Sequence, residues 1–200
     1  MGMHGSPLRP LGVVTLALLT ERSMHPYEMY QLLIARNQDR TVKLRPGTLY
    51  HAINWLEGSG FVVATGTDRE GNRPERTTYA ITDEGRAALR RSVVSMLTQP
   101  QDEFPEFAVA MGEAHTLSKA EVVAALRERV AVIEADADRG GSFMDNANNR
   151  GLPRRFILGG EFALNRARAD VAWLHSVIAG IESGEISWDA PVPKKLEELQ

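Results

Sequence analysis

Two hundred residues leave room for one domain or two small ones with separate cores, and 43% hydrophobic with 24% charged residues is a globular balance. The absence of cysteine excludes disulfides, thiolate metal sites and cysteine nucleophiles. No apolar run approaches the roughly 18 residues of a membrane helix, so no membrane partner is expected and the cytoplasm is the expected location. The net charge of −3 is unevenly spread. Residues 1–91 carry twelve Arg and Lys against nine Asp and Glu, and residues 92–200 carry eleven against seventeen, which sets a mildly basic head on an acidic body.

In chain order, residues 1–9 are expected to be disordered. Residues 10–22 read as a helix that is apolar almost all round and therefore buried. The stretch "SMHPYEMYQLLIARN" reads as a second helix, with Pro26 near its start, Glu28 in its first turn and Tyr27, Tyr30, Leu33 and Ile34 at helical spacing. After a short connection, Pro46 opens a third helix that ends near Gly58–Gly60. The period then changes. "FVVATG" and "RTTYAIT" are β-rich runs around "TDREGNRPE", a hairpin with a long charged tip. Thr82 is the expected N-cap of a fourth helix, with Asp83 and Glu84 placed well against its dipole.

This gives a head over 10–99 and a linker or short helix over 100–117. A helical region over 118–184 and a mobile tail over 185–200 complete the chain. The helical region holds two long amphipathic helices, the first capped by Ser118 and Glu121 in a capping box and the second over 154–183. "GGSFMDNANNRGLP" between them reads as a loop or frayed helix end. On the second helix Ile157, Phe162 or Leu158, Leu164, Val171, Leu174 and Ile178 are the expected apolar contacts.

The expected class is therefore mainly α, an N-terminal winged helix-turn-helix domain of three helices and a β-hairpin wing, followed by an antiparallel helical dimerisation domain. In the winged-helix layout the third helix enters the DNA major groove and the wing reaches the flanking backbone or minor groove. The third helix, "RPGTLYHAINWLEGSG", suits that role. Leu49, Ala52, Ile53 and Leu56 fall on one side, while His51 and Asn54 lie on the other, flanked by Tyr50 and Trp55. Thr48, His51 and Asn54 are the expected base readers. Lys43, Arg45, Tyr50, Arg73 and Arg76 are the expected backbone contacts. Gly47 and Gly58 on the same outer side leave room for close approach. The wing tip mixes Arg69, Arg73 and Arg76 with Asp68, Glu70 and Glu75, so a self-neutralising loop remains an alternative there.

The five histidines have no ligand-like spacing, and no zincin, serine-hydrolase, P-loop or dinucleotide motif occurs. Asp145, Asn146, Asn148 and Asn149 look like half of a cation loop, but no bidentate Glu completes it. No enzyme, cofactor or metal is expected.

"HPYEMYQLL", "RPGTLYHAINWLEGSGFV" and "ERTTYAITDEGRAAL" resemble the winged-helix domain of the PadR family of transcriptional regulators, in matching order and spacing. Pro26 stands where the family has glycine and Ile81 where it has leucine, and the wing tip is more acidic than a strong DNA clamp. The resemblance continues at lower specificity through "VAWLHSVIAGIESG". It implies a homodimer in which the long C-terminal helices of two subunits pack together and present two recognition helices to a near-palindromic double-stranded operator. Two long helices also bury little against each other alone, so a partner chain is the expected cover. Leu126, Val130, Ile133, Leu164, Val171, Trp173, Leu174 and Ile178 are the expected interface residues. Trp173 is open to two roles, dimer core or wall of an effector pocket. The family habit is repression by operator occlusion, released by a small aromatic or lipophilic effector. Two rival readings stay open: a winged-helix protein-interaction module without DNA binding, and a regulator of the MarR type.

Overall fold

The computed structural model describes residues 8–68 and 76–188. The chain forms two compact units, Met1–Asp102 and Glu103–Gln200, and each is described by itself. Expectations for residues 1–7, the wing tip at 69–75 and the tail from 189 fall outside the described residues.

The first unit runs α1 (Pro10–Leu19), α2 (Pro26–Ala35), a 3-10 turn (Gln38–Arg40), α3 (Pro46–Gly58), β1 (Val62–Asp68), β2 (Arg76–Ile81) and α4 (Asp83–Thr98). α1 is shorter than expected: Thr20 ends it with a hydroxyl bond to the Ala17 carbonyl. Leu16 and Leu19 of α1, Met29 and Leu33 of α2, and Leu49, Ile53 and Leu56 of α3 make one buried cluster, closed by Val62 and Ile81 from the wing root. Thr15 lies in that core with no unsatisfied group, since its hydroxyl donates back to the Leu11 carbonyl at 2.7 Å. The strands pair antiparallel from Val62↔Ile81 to Asp68↔Arg76, with a register shift at Ala64/Gly66. Met24, just ahead of α2, adds an isolated bridge to Tyr79, donating and accepting at 3.0 Å. No local pattern around Met24 points to that bridge, because its partner lies 55 residues away.

The wing root and α4 are locked by one short segment. Thr82 caps α4 by accepting from the Gly85 N–H at 3.0 Å, and its hydroxyl donates to the Gly60 carbonyl at 2.7 Å. The Thr82 N–H donates to the Phe61 carbonyl at 3.0 Å. Phe61 O therefore sits against Gly85 so closely that a Cβ there would lie 2.1 Å away. Only glycine fits.

The second unit holds α5 (Glu106–Glu113), a 3-10 turn (Ala114–Thr116), α6 (Lys119–Asn149) and α7 (Leu158–Ser183). α6 and α7 form an antiparallel hairpin. The Ser118–Glu121 capping box is present as expected, with the Ser118 N–H donating to Glu121 at 2.8 Å. Those bonds from Ser118 hold the Glu121 carboxyl below its ordinary pKa. Two differences stand out. α6 runs straight through Gly140 and Gly141 to Asn149, where the composition reads as a loop. Tertiary packing overrides propensity here: Met144 and Ala147 are buried with Ile157. The second difference is at the tail. Gly184 ends α7 with φ 83°, the chain folds back, and the Trp188 indole donates to the Leu117 carbonyl at 2.9 Å. Trp188, expected in a mobile tail, packs on the main hairpin core instead.

Candidate nucleic-acid interface

α3 begins at Arg45, whose extended backbone (φ −141°, ψ 152°) feeds Pro46 at the first helical position, where a missing N–H costs nothing. Thr48 then closes the first turn. Its hydroxyl accepts from the Arg45 N–H at 3.0 Å and donates to the Arg45 carbonyl at 2.8 Å. The inner face is sealed by Leu49, Ile53 and Leu56.

The outer face is Gly47, Thr48, His51, Asn54 and Gly58, all exposed, with Tyr50 (46% exposed) on one flank and Trp55 (45%) on the other. A Cβ at Gly47 or Gly58 would meet nothing within 4 Å. The fold makes no demand for glycine at either place; their effect is to bare the helix backbone to whatever approaches. Trp55 stacks edge-to-face on Phe61, ring centroids 5.9 Å apart at 63°. That contact ties the end of α3 to the start of the wing. On the other flank Tyr79 of β2 has its phenol pKa raised, first by burial and then by the nearby Glu57 and Tyr50 of α3.

Several cations of this unit are already engaged. Arg36 forks onto Glu21 at 2.5 and 2.9 Å, Arg22 pairs with Glu28, and Arg91 pairs with Glu84 at 2.7 Å. Those bonds hold the Glu21 and Glu28 carboxyls below their ordinary pKa. Lys43 and Arg45 are exposed and have no ion pair among the described residues. They stand immediately before the outer face of α3.

The expected site residues therefore divide. His51, Asn54, Tyr50, Lys43 and Arg45 converge on one exposed surface. Thr48 lies on it too, but its hydroxyl is committed to the first turn, leaving its methyl group and one lone pair outward. Arg73 lies outside the described residues. Arg76 opens β2 opposite Asp68.

The expected dimer residues divide differently. Leu126, Val130, Leu174 and Ile178 form the hairpin's own core with Val122 and Ile181, and Leu174 is 1% exposed. This corrects their assignment to an interface: a side chain enclosed by its own chain has no surface left for a partner. Ile133 and Val171 are half-buried against the same core. Leu164 and Val171 line an open groove of about 890 Å³ between α6 and α7, walled by Glu134, Asp138 and Asp145 on one side and Arg168 and His175 on the other. Ala137, Gly141, Ala167 and Ala172 complete the lining with Ser142, and Trp173 is not part of it. Trp173 lies outside, 48% exposed, edge-to-face on Phe107 at 6.2 Å, with the Arg129 guanidinium 3.7 Å over the Phe107 ring. Its place against α5 is one that periodicity on α7 alone does not show.

Three helices, a hairpin whose base is locked to the fourth helix, and a bare polar face on the third helix define a winged-helix protein. Residues 15–91 match the model of the transcriptional regulator PadR-like family. Over those residues the winged-helix unit is similar to that family of transcriptional regulators. Among solved structures, Bacillus subtilis PadR in complex with operator DNA is similar over 86% of this chain and 99% of its own, with a TM-score of 0.73 and 21% identity. The same protein in complex with p-coumaric acid covers 87% and 99%, at a TM-score of 0.69 and 18% identity. The Vibrio cholerae virulence activator AphA covers 86% and 98%, at 0.64 and 20%. These likenesses carry the fold. Comparison with curated proteins found no match. No helix among the described residues is long and apolar enough to cross a membrane, and no three His, Asp or Glu there gather to hold a metal.

Proposed function

We propose that this regulator is a homodimer that reads a near-palindromic DNA site with α3 and controls transcription in the cytoplasm by occupying it. The observation that carries the reading is the outer face of α3: His51 and Asn54 flanked by two glycines the fold does not require, with Lys43 and Arg45 beside them, exposed and without an ion pair among the described residues. The 13-residue helix is ~20 Å long and fits the major groove, where each base pair presents its own donor and acceptor pattern. His51 and Asn54 read base edges. Thr48 contributes its methyl, an apolar contact suited to thymine. Lys43, Arg45 and Tyr50 hold phosphates, and Arg73 and Arg76 do so from the wing.

Repression by occlusion follows from a dimer lying across promoter DNA. Release by a small aromatic or lipophilic effector is supported by the likeness to Bacillus subtilis PadR in complex with p-coumaric acid. The activator among the neighbours supports the opposite sign on the same fold.

Gel-shift titration against the DNA upstream of its own gene, at two salt concentrations, tests the proposal. Replacing His51 or Asn54 by alanine should relax one operator position at a cost of about 1–3 kcal/mol. Replacing Lys43 or Arg45 should weaken all sequences alike and lower the salt slope by about one. Absence of any salt-sensitive, sequence-dependent shift at micromolar dimer would turn the reading toward a protein-interaction module.

A further inference from the structure

Packing accounts for part of the Trp55 ring and leaves its polar group unused. The side chain stays 45% exposed although Phe61 braces it edge-to-face at 5.9 Å. Its indole N–H donates to nothing among the described residues, whereas that of Trp188 donates to the Leu117 carbonyl at 2.9 Å. An indole nitrogen can only donate. A tryptophan that is apolar on one side and free to donate on the other suits a surface that is itself polar and accepting.

The place of Trp55 on α3 says which surface that is. At about 100° per residue, Gly47, His51, Asn54 and Gly58 fall within about 60° of one another, and the middle of that arc is the outer face. Tyr50 lies about 70° to one side of the middle and Trp55 about 70° to the other. A helix about 10–12 Å across fills a major groove about 12 Å wide. Its mid-line then meets base edges, and its two flanks meet the two phosphate backbones that wall the groove. Tyr50 stands at one wall. Trp55 stands at the other, on the flank tied to the wing root.

From these observations we infer that Trp55 is a DNA-backbone residue, its indole N–H donating to a phosphate oxygen on the wing side of the groove. The inference rests on the proposed reading of DNA by α3 and adds a contact to it. Thr48 shares the flank, but its hydroxyl already donates to the Arg45 carbonyl. Glu57, the carboxylate near this end of α3, lies on the Tyr50 side beside Tyr79, so it does not oppose a phosphate at Trp55. Phe61 is itself fixed: its N–H donates to the Leu56 carbonyl at 2.9 Å and its carbonyl accepts from Thr82. The braced ring therefore loses little freedom on binding. Lys43 and Arg45 act differently, since a cation on a phosphate releases a counterion and weakens with salt. A neutral donor on a phosphate makes a charge-assisted bond and releases none.

Full-length Trp55→Phe tests this, because phenylalanine keeps an aromatic ring against Phe61 and removes the N–H. Gel shifts use the upstream fragment that the wild type binds and an unrelated fragment of equal length, each at two salt concentrations. Trp55→Phe should weaken both about tenfold with the salt slope unchanged, where Lys43→Ala lowers the slope by about one. In a scan of single methylphosphonates, each neutralising one phosphate of the upstream fragment, one position should weaken the wild type and leave Trp55→Phe unaffected. That comparison separates a lost contact from a lost fold, which would weaken every position alike. Equal affinity of Trp55→Phe and wild type, identical methylphosphonate profiles, or a loss confined to one operator sequence position would overturn the role of Trp55 alone. A wild-type chain that shifts neither fragment would overturn the reading of DNA by α3 itself.

Discussion

Gly85→Ala separates two physical effects of opposite sign. On helix propensity alone, alanine inside α4 should stabilise the chain by about 1 kcal/mol. The geometry says otherwise. The added methyl would lie 2.1 Å from the Phe61 carbonyl oxygen and 2.9 Å from Ile81 Cγ1. Relief requires a backbone shift of more than about 1 Å, because unstrained carbon contacts begin near 3.5 Å. Phe61 is not free to move: its carbonyl accepts from the Thr82 N–H, and the Thr82 hydroxyl holds Gly60. Overpacking costs about 1–3 kcal/mol and each broken hydrogen bond about 1 more. With both bonds lost and the propensity gain subtracted, the net loss is about 2–4 kcal/mol. Urea unfolding followed by circular dichroism measures it, with hydrogen exchange of the peptides over 61–90 locating it. A Gly85→Ala chain as stable as wild type, or more stable, would refute the locked wing root.

Gly47→Ala and Gly58→Ala should behave in the reverse way. Both sites open onto empty space, so stability should hold or rise by up to about 1 kcal/mol while operator affinity falls; unchanged affinity in gel shifts would remove the bare-backbone contact. Thr48→Ser should keep both the first turn of α3 and its stability, whereas Thr48→Val should lose about 1 kcal/mol in thermal unfolding, since only the hydroxyl serves the turn. The Arg36–Glu21 pair predicts a pH signature. The Glu21 pKa is depressed below 4.5 by the Arg36 hydrogen bond, so the pair's stabilisation is whole above that value and lost as pH falls through the folded-state pKa. Wild type and Arg36→Gln should therefore differ at pH 7, converge in acid, and differ less in high salt, as measured by their unfolding midpoints.

Features set by near neighbours in the chain were readable from the sequence. Thr82 as a cap, the Ser118–Glu121 box and the apolar face of α3 all involve residues three or four apart, so their chemistry is local. Gly140 and Gly141 misled for the same reason in reverse: locally they disfavour helix, and only packing of Met144 and Ala147 on Ile157 keeps α6 intact. The candidate interface divides along the same line. Helical spacing identifies Leu126, Val130, Leu174 and Ile178 as buried, but it does not say by what, and the same stripe serves an internal hairpin or a partner. Trp55 stacks on Phe61, which lies beyond the helix end, so the periodicity of α3 alone does not show that contact.

The Met24–Tyr79 bridge sets a limit on how this domain can vary. Surface connections usually accept inserted residues at little cost. The turn between α1 and α2 is different, because Met24 is buried and paired to β2 through both its backbone groups at the residue just before the His25 cap of α2. An extra residue between Met24 and Pro26 would either displace Met24 from the core or rotate the start of α2 by about 100°. Length changes should accumulate instead in the α2–α3 connection and beyond the strands, and residues 20–25 should hold a fixed length wherever this head domain is reused.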